Sequence, residues 1–353
     1  MRPPVPLPTI EDIRSELALI GVSHVGIADA SHLARARQAL DDRKQRGFAD
    51  TMGFTWRHPD RATNPRMSVN DAQSVIVAAM PYESLDDEPP AGRRAAIAKY
   101  ARRNYYDELR TGLRTVAKSI RRSGHRAVAF ADDNALVDRE IAHRAGMGWF
   151  GKNANLLVPG AGSFFVLGSI ITTAEYPIDQ PVGDGCGTCE RCFSGCPTDA
   201  IVSPGVIDAR RCLAWLLQRP GTFPHEYREV VGARIYGCDD CQDSCPPTVR
   251  LSGRMSPRAL PTHGTWVDPL EILNATDDDI LNRFGTWYIH QRNPKWLRRN
   301  AVIALGNTAA SDDHEAFSVL RTVASGNDDT LAEHAVWALQ RLEERSNHSD
   351  GEQ

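Results

Sequence analysis

The stretch GCGTCERCFSGCP, residues 185–197, and its partner RIYGCDDCQDSCP, residues 234–246, decide how this chain is built. With Cys212 between them they hold all eight cysteines: Cys186, Cys189, Cys192, Cys196, Cys212, Cys238, Cys241 and Cys245. The first four read C-x2-C-x2-C-x3-C followed by Pro197, the ferredoxin run in which three thiolates hold one iron–sulfur cube and the fourth reaches another. The last three read C-x2-C-x3-C followed by Pro246 and match the later positions of a second copy. Its first position would be residue 235, which is Ile235, so Cys212 is the thiol left to fill the vacancy. One [4Fe–4S] cluster is therefore assigned to Cys186, Cys189, Cys192 and Cys245, and the other to Cys196, Cys212, Cys238 and Cys241.

The rival readings are two four-cysteine zinc sites or a disulfide framework. Zinc also uses C-x2-C pairs, but rarely three evenly spaced cysteines with a fourth before proline. Disulfides need an oxidising compartment, and the proline-rich start, residues 1–9, has no apolar core of a secretory signal. No run of 18 apolar residues is present, so nothing reads as a membrane span. The expected location is the reducing cytoplasm.

With 353 residues, the chain has room for two or three domains, and 41% hydrophobic with 24% charged residues is ordinary for a globular protein. The formal charge of −4 means that a nucleic-acid partner would have to be held by a local basic patch.

Upstream of the cysteines, helices and strands alternate. Apolar residues at helical spacing predict a helix over 9–20 with Thr9 as N-cap, and a second helix follows Asp29 or Ser31. SVIVAAM, Ser74 to Met80, reads as a buried strand. Further strands are expected at 24–28, 97–101, 127–131 and 162–172, with helices at 104–122 and 136–145. The alternation argues for an α/β layer. Gly146, Gly148 and Gly151 fit G-x-G-x-x-G, but between a helix and a strand, which is the wrong context for a dinucleotide fingerprint. The 11 histidines show no metal-ligand spacing.

Downstream, LRRNAVIAL from Leu297 resembles LAEHAVWAL from Leu331, a 34-residue displacement that suggests two HEAT-like helical repeats. The first copy is basic, and Lys295, Arg298 and Arg299 are candidate phosphate contacts. The resulting fold class is α+β. An α/β cofactor domain is expected over 1–180, a ferredoxin-like double-cluster module over 181–255, and a HEAT-like domain over 256–353.

KYAR (Lys99 to Arg102), GMGWFGKN (Gly146 to Asn153), GSFFVLG (Gly162 to Gly168), DARRC (Asp208 to Cys212), both cysteine runs and NPKWLRRNAVIALGN (Asn293 to Asn307) appear in this order. Together they resemble the epoxyqueuosine reductase family, over nearly the whole chain. That family is similar in build to reductive dehalogenases. The resemblance implies a cobalamin in the N-terminal domain and reduction of an epoxide to an alkene on the modified base at position 34 of tRNA. It implies Asp132 as proton donor, with Asp133 one residue away as alternative. It implies cofactor contacts from Arg61, Tyr100 and Lys152. A monomer fed by an external donor of flavodoxin or ferredoxin type is expected.

The chain departs from the family's pattern at Asp132-Asp133-Asn134-Ala135, at Asn104-Tyr105-Tyr106, after Cys212 and at Pro246-Pro247-Thr248. The cluster ligands are intact, and the changes gather where cofactor and substrate would lie. Two alternatives therefore stand beside the leading reading. One is a paralogous corrinoid iron–sulfur reductase of another substrate. The other is an electron-transfer or cobalamin-handling protein without turnover.

Overall fold

SVIVAAM carries no polar alternation because both faces of its strand are covered. In the computed structural model, which describes residues 5–82, 86–250 and 262–350, the Ser74–Pro81 strand is buried through Met80. It lies inside a four-stranded sheet in the order His24–Asp29, Ser74–Pro81, Phe165–Thr172, Ala127–Ala131. Every pairing is antiparallel, with Ile76 opposite Ile27 on one side and Ile170 on the other. The alternation of strands and helices therefore does not produce the parallel crossovers of an α/β sheet. Val75, Val77 and Ala79 share a cluster with Ile141 and Ala142 of the Asp138–Arg144 helix. On the strand beside it, Gly168 lies under Leu109 and Leu113 of the Tyr105–Arg122 helix. A Cβ there would come within 2.6 Å of Leu113 Cδ1.

The described chain groups into two compact units whose segments interleave. The first comprises described residues 5–82, 104–208 and 240–250, and the second 86–103, 209–239 and 262–350. The antiparallel sheet belongs to the first unit. In the second, a three-stranded sheet has Ala95–Ile97 at its centre. Arg234–Tyr236 lies parallel on one side and Trp266–Val267 antiparallel on the other. Around it stand the helices Pro269–Asn274, Asp277–Phe284, Lys295–Thr308, His314–Ala324 and Asp329–Asp350. The Lys295–Thr308 helix gives Val302, Ile303 and Leu305 to one core cluster and Leu297, Ala301 and Ala304 to another. Its buried faces are not all apolar, since Arg299 and Asn300 are buried with them.

Local expectations are met at some ends and corrected at others. Thr9 caps the Ile10–Ala18 helix, with Asp12 completing a capping box. The second helix begins only at Ala34, with no side-chain cap. Asp29 instead accepts from the Ser31 amide at 2.7 Å and closes a turn. The strand expected over 97–101 ends at Ile97 and turns into a short 3-10 segment, Lys99–Ala101. The Arg102 side chain takes the Ile97 carbonyl at 2.9 Å, which the continuing strand would otherwise use. The strand expected from Gly162 begins at Phe165.

Candidate cluster and proton site

The first cysteine run and the Cys241–Cys245 turn meet within the first unit. Gly195 stands one residue before Cys196, and Ser244 one residue before Cys245. A Cβ on Gly195 would collide with Ser244 Oγ, so only glycine lets the two turns approach this closely. None of the eight cysteines forms a disulfide. Burial and the nearness of Cys245, Cys186 and Cys189 push the Cys192 thiol up. Burial and the charges of Cys186 and Cys189 do the same to Cys245. Four thiols that would repel one another as thiolates suit an iron–sulfur cluster, whose cations offset that repulsion. Among the described residues no three His, Cys, Asp or Glu side chains converge on a single-ion site. The other four cysteines divide between the units: Cys196 and Cys241 lie in the first, Cys212 and Cys238 in the second.

The sequence motifs around the cysteines are their supports. Asn153, the last residue of GWFGKN, donates to the Cys241 carbonyl at 3.0 Å. Ser163 donates to Gln242 Oε1 at 3.0 Å, and the Tyr82 hydroxyl donates to the same oxygen at 3.2 Å. The Trp149 ring closes over Gly185, beside Cys186. Its indole N–H is buried without a partner among the described residues. Such an orphaned donor fits a sulfur acceptor from a bound cluster. In the second unit, the Lys99 amide donates to Asp239 Oδ2 at 2.7 Å, next to Cys238. The glycines of the G-x-G-x-x-G match have packing roles. Gly146 has φ +69, and a Cβ on Gly148 would collide with the Leu157 carbonyl.

Asp132 closes the Ala127–Ala131 strand in the left-handed region, φ +52. That turn folds the next residues back, and the Val137 amide reaches the Ala62 carbonyl at 2.9 Å. The segment bearing Arg61 is thereby tied to the one bearing Asp132. Arg61 itself makes a long contact, 3.4 Å, to Ser68 Oγ. Asp132 is exposed. Loss of solvation raises its carboxyl pKa, Arg110 opposes the rise, and Asp133 adds to it. Six residues on, burial and then the charge of Asp132 push Asp138 up to about 8. Tyr106 feels the same burial and the charges of both aspartates, which hold its phenol protonated. Asp133 instead accepts from the Ala135 amide at 2.8 Å.

Sequence reasoning selected Asp132 and missed its partners. Asp138 reads in sequence as half of a local pair with Arg139, but burial governs it and Arg139 only moderates the shift. The signal lay at Asn104-Tyr105-Tyr106, where a departure from the family pattern puts a phenol beside the aspartates. Lys152 is placed by the first cysteine run, its Nζ 3.8 Å from Glu190. Tyr100 lies in the second unit, accepting from Gln218 Nε2 at 3.1 Å.

The three basic residues expected to meet phosphate are engaged within the second unit. Lys295 pairs with Asp328 at 2.7 Å, and Arg298 with Asp277. Arg299 is a correction: it is fully buried, and its donors are spent on backbone carbonyls and Asn300. On the helix Tyr105–Arg122, Arg110 and Arg121 likewise donate to the Ala131 and Ala127 carbonyls.

Residues 62–133 match the family described as "Epoxyqueuosine reductase QueG, DUF1730", and residues 185–248 match "4Fe-4S double cluster binding domain". The epoxyqueuosine reductase of Lactococcus garvieae (strain Lg2) is 32% identical over 344 residues, spanning 95% of this chain and 96% of that protein. An epoxyqueuosine reductase structure containing a tRNA-Tyr epoxyqueuosine-modified stem loop superposes with TM-score 0.85 at 27% identity. The match covers 94% of this chain and 90% of the other. The Bacillus subtilis enzyme, in a structure described with an aspartate-bearing catalytic loop swung out of the active site, superposes at TM-score 0.84 and 26% identity. It too is matched over 94% of this chain and 90% of its own.

Proposed function

This chain belongs to the epoxyqueuosine reductase family, an oxidoreductase with two [4Fe–4S] clusters, and from that premise we propose that it converts epoxyqueuosine to queuosine at position 34 of tRNA. The observation that carries the chemistry is the Asp132, Asp138 and Tyr106 group. Reducing an epoxide to an alkene takes up two electrons and two protons and releases the oxygen as water. The site must therefore hold protons at neutral pH, which ordinary carboxylates do not. Asp132 is the acid that meets the opening oxygen. Asp138 is the neighbouring carboxyl that still holds a proton at neutral pH. Asp133, tied into its own turn, is the less suitable acid.

The donor set suits cobalamin: a neutral carboxyl, a phenol and the Arg61 guanidinium match a macrocycle fringed with amides. When bound, cobalamin supplies the cobalt-centred reducing chemistry. Arg61 would hold its periphery, and Tyr100 is kept as a further cofactor contact on the strength of the family resemblance. Lys152, placed beside the cysteine run, would be another contact to it. Cys186, Cys189, Cys192 and Cys245 hold one cluster, and Cys196, Cys212, Cys238 and Cys241 the other. A flavodoxin or ferredoxin-type donor charges them in the reducing cytoplasm, and the chain acts as a monomer.

The helices of residues 295–350 are read as HEAT-like. Their basic contribution to tRNA rests on Lys295 and Arg298, whose partner carboxylates are partly exposed and can yield to phosphate. The B. subtilis catalytic-loop structure and the tRNA-bound relative support the reading of Asp132 and of the substrate. Tyr106, standing where the family pattern differs, favours a second reading, a paralogue with the same redox parts and another substrate.

Expression in a bacterium lacking its own epoxyqueuosine reductase tests the proposal. Nucleosides from its tRNA should shift from epoxyqueuosine to queuosine, and persistent epoxyqueuosine would count against it.

A further inference from the structure

Arg299 and Asn300 form a buried polar knot in the second unit. Arg299 exposes none of its surface and Asn300 about 1%. The guanidinium donates to the carbonyls of Leu216 at 3.0 Å, Arg219 at 2.9 Å and Gly221 at 2.7 Å, and to Asn300 Oδ1 at 2.8 Å. Burial pulls it down to about 9, still charged at neutral pH. The Asn300 amide donates to the Leu217 carbonyl at 2.7 Å and the Ile235 carbonyl at 2.9 Å.

Those two carbonyls belong to different segments. Leu217 caps the Leu213–Leu216 helix, which begins directly after Cys212. Ile235 lies in the Arg234–Tyr236 strand, which leads into Cys238. A single side chain thus pins one cysteine-bearing segment to the other. A second tie runs alongside. Gln218 donates to the Tyr100 hydroxyl, and Tyr100 packs on Gly237, where a Cβ would come within 2.8 Å of the ring.

We propose that Arg299 and Asn300 are positioning residues for the second iron–sulfur cluster, fixing the spacing of Cys212 against Cys238. This rests on the reading that Cys212 and Cys238 are both ligands of that cluster. In a complete ferredoxin copy the local turn sets the spacing of the first three ligands. Here Ile235 occupies the first position and the ligand comes from elsewhere in the chain, so its register needs a separate device. A buried guanidinium is costly to desolvate, and an apolar side chain of like volume commonly stabilises as well. What an apolar residue lacks is the set of directed donors that lock the segment after Cys212.

The test is anaerobic reconstitution of the full chain with iron and sulfide. Iron per chain, the electron paramagnetic resonance of the reduced protein and a redox titration are then read. The wild type should bind about eight irons, from two clusters of four. Asn300→Asp, which keeps the shape but loses the amide donors, should bind about four and keep one unaltered cluster signal. Should that variant fail to fold, Arg299→Lys keeps the charge without the forked donors. It should move the potential and signal of one cluster and leave the other unmoved. Both signals unchanged, or both clusters lost in equal proportion, would overturn the proposal. Cys212→Ala is the control on the underlying reading. Eight irons in that variant would remove Cys212 as a ligand and the proposal with it.

Discussion

The half-buried Asp138 carboxyl is pushed up to about 8, first by loss of solvation and then by the charge of Asp132 near it. Two carboxyls placed so that one discourages ionisation of the other form a common arrangement for acid chemistry at neutral pH. Free aspartate titrates near 3.9. Between about pH 4 and pH 8 the folded chain therefore binds a proton at Asp138 that the unfolded chain has released. Stability must fall as pH rises through that window and level off above it. Asp138→Asn, neutral at every pH, should lack this slope. Calorimetry of the anaerobic protein at pH 5.5 and pH 8.5 checks it: the wild-type Tm should drop more between the two than that of the variant. Equal drops would place the Asp138 proton elsewhere.

Asp132→Asn should fold, keep its iron and lose single-turnover activity by about 100-fold or more, in the range of a general acid removed. Asp133→Asn should lose far less, since that side chain serves the Ala135 amide. Rates unchanged in Asp132→Asn would move the acid away from this turn.

Gly148→Ala tests the packing account of the glycine loop. Its Cβ would strike the Leu157 carbonyl, a backbone atom that cannot swing aside. A destabilisation of about 1–3 kcal/mol is expected, as for other overpacked sites, read as a lowered Tm with cluster spectra intact. A silent substitution would show that the loop has slack.

Lys295→Ala should weaken tRNA binding regardless of sequence and lower the salt slope of binding by about one. Arg298→Ala should act likewise, with some loss of stability from its bond to the Ala275 carbonyl at 2.7 Å. An unchanged salt slope in both would remove this face from the tRNA interface.

The cysteine spacing made the cluster module legible, because thiolate ligands come in fixed local runs. The buried strand SVIVAAM was legible because an apolar run needs cover on both faces. Strand direction was not legible, since helix and strand alternation does not specify whether neighbours run parallel. Arg299 misled because a charge in a basic run reads as solvated. Only the fold shows its donors aimed at the carbonyls after Cys212. Asp138 was hidden for the opposite reason. Its raised pKa comes from burial and from Asp132 across the turn that the left-handed backbone of Asp132 creates. Burial of that kind leaves no mark in the spacing.

The most direct test of the central claim is a single-turnover assay on the wild type. The protein is reconstituted anaerobically with iron, sulfide and cobalamin, reduced, and mixed with tRNA carrying epoxyqueuosine. The account predicts queuosine in that tRNA, no product when cobalamin is omitted, and a strong loss in Asp132→Asn. Intact clusters and bound cobalamin with the epoxide untouched would contradict it and point to another substrate for the same redox parts.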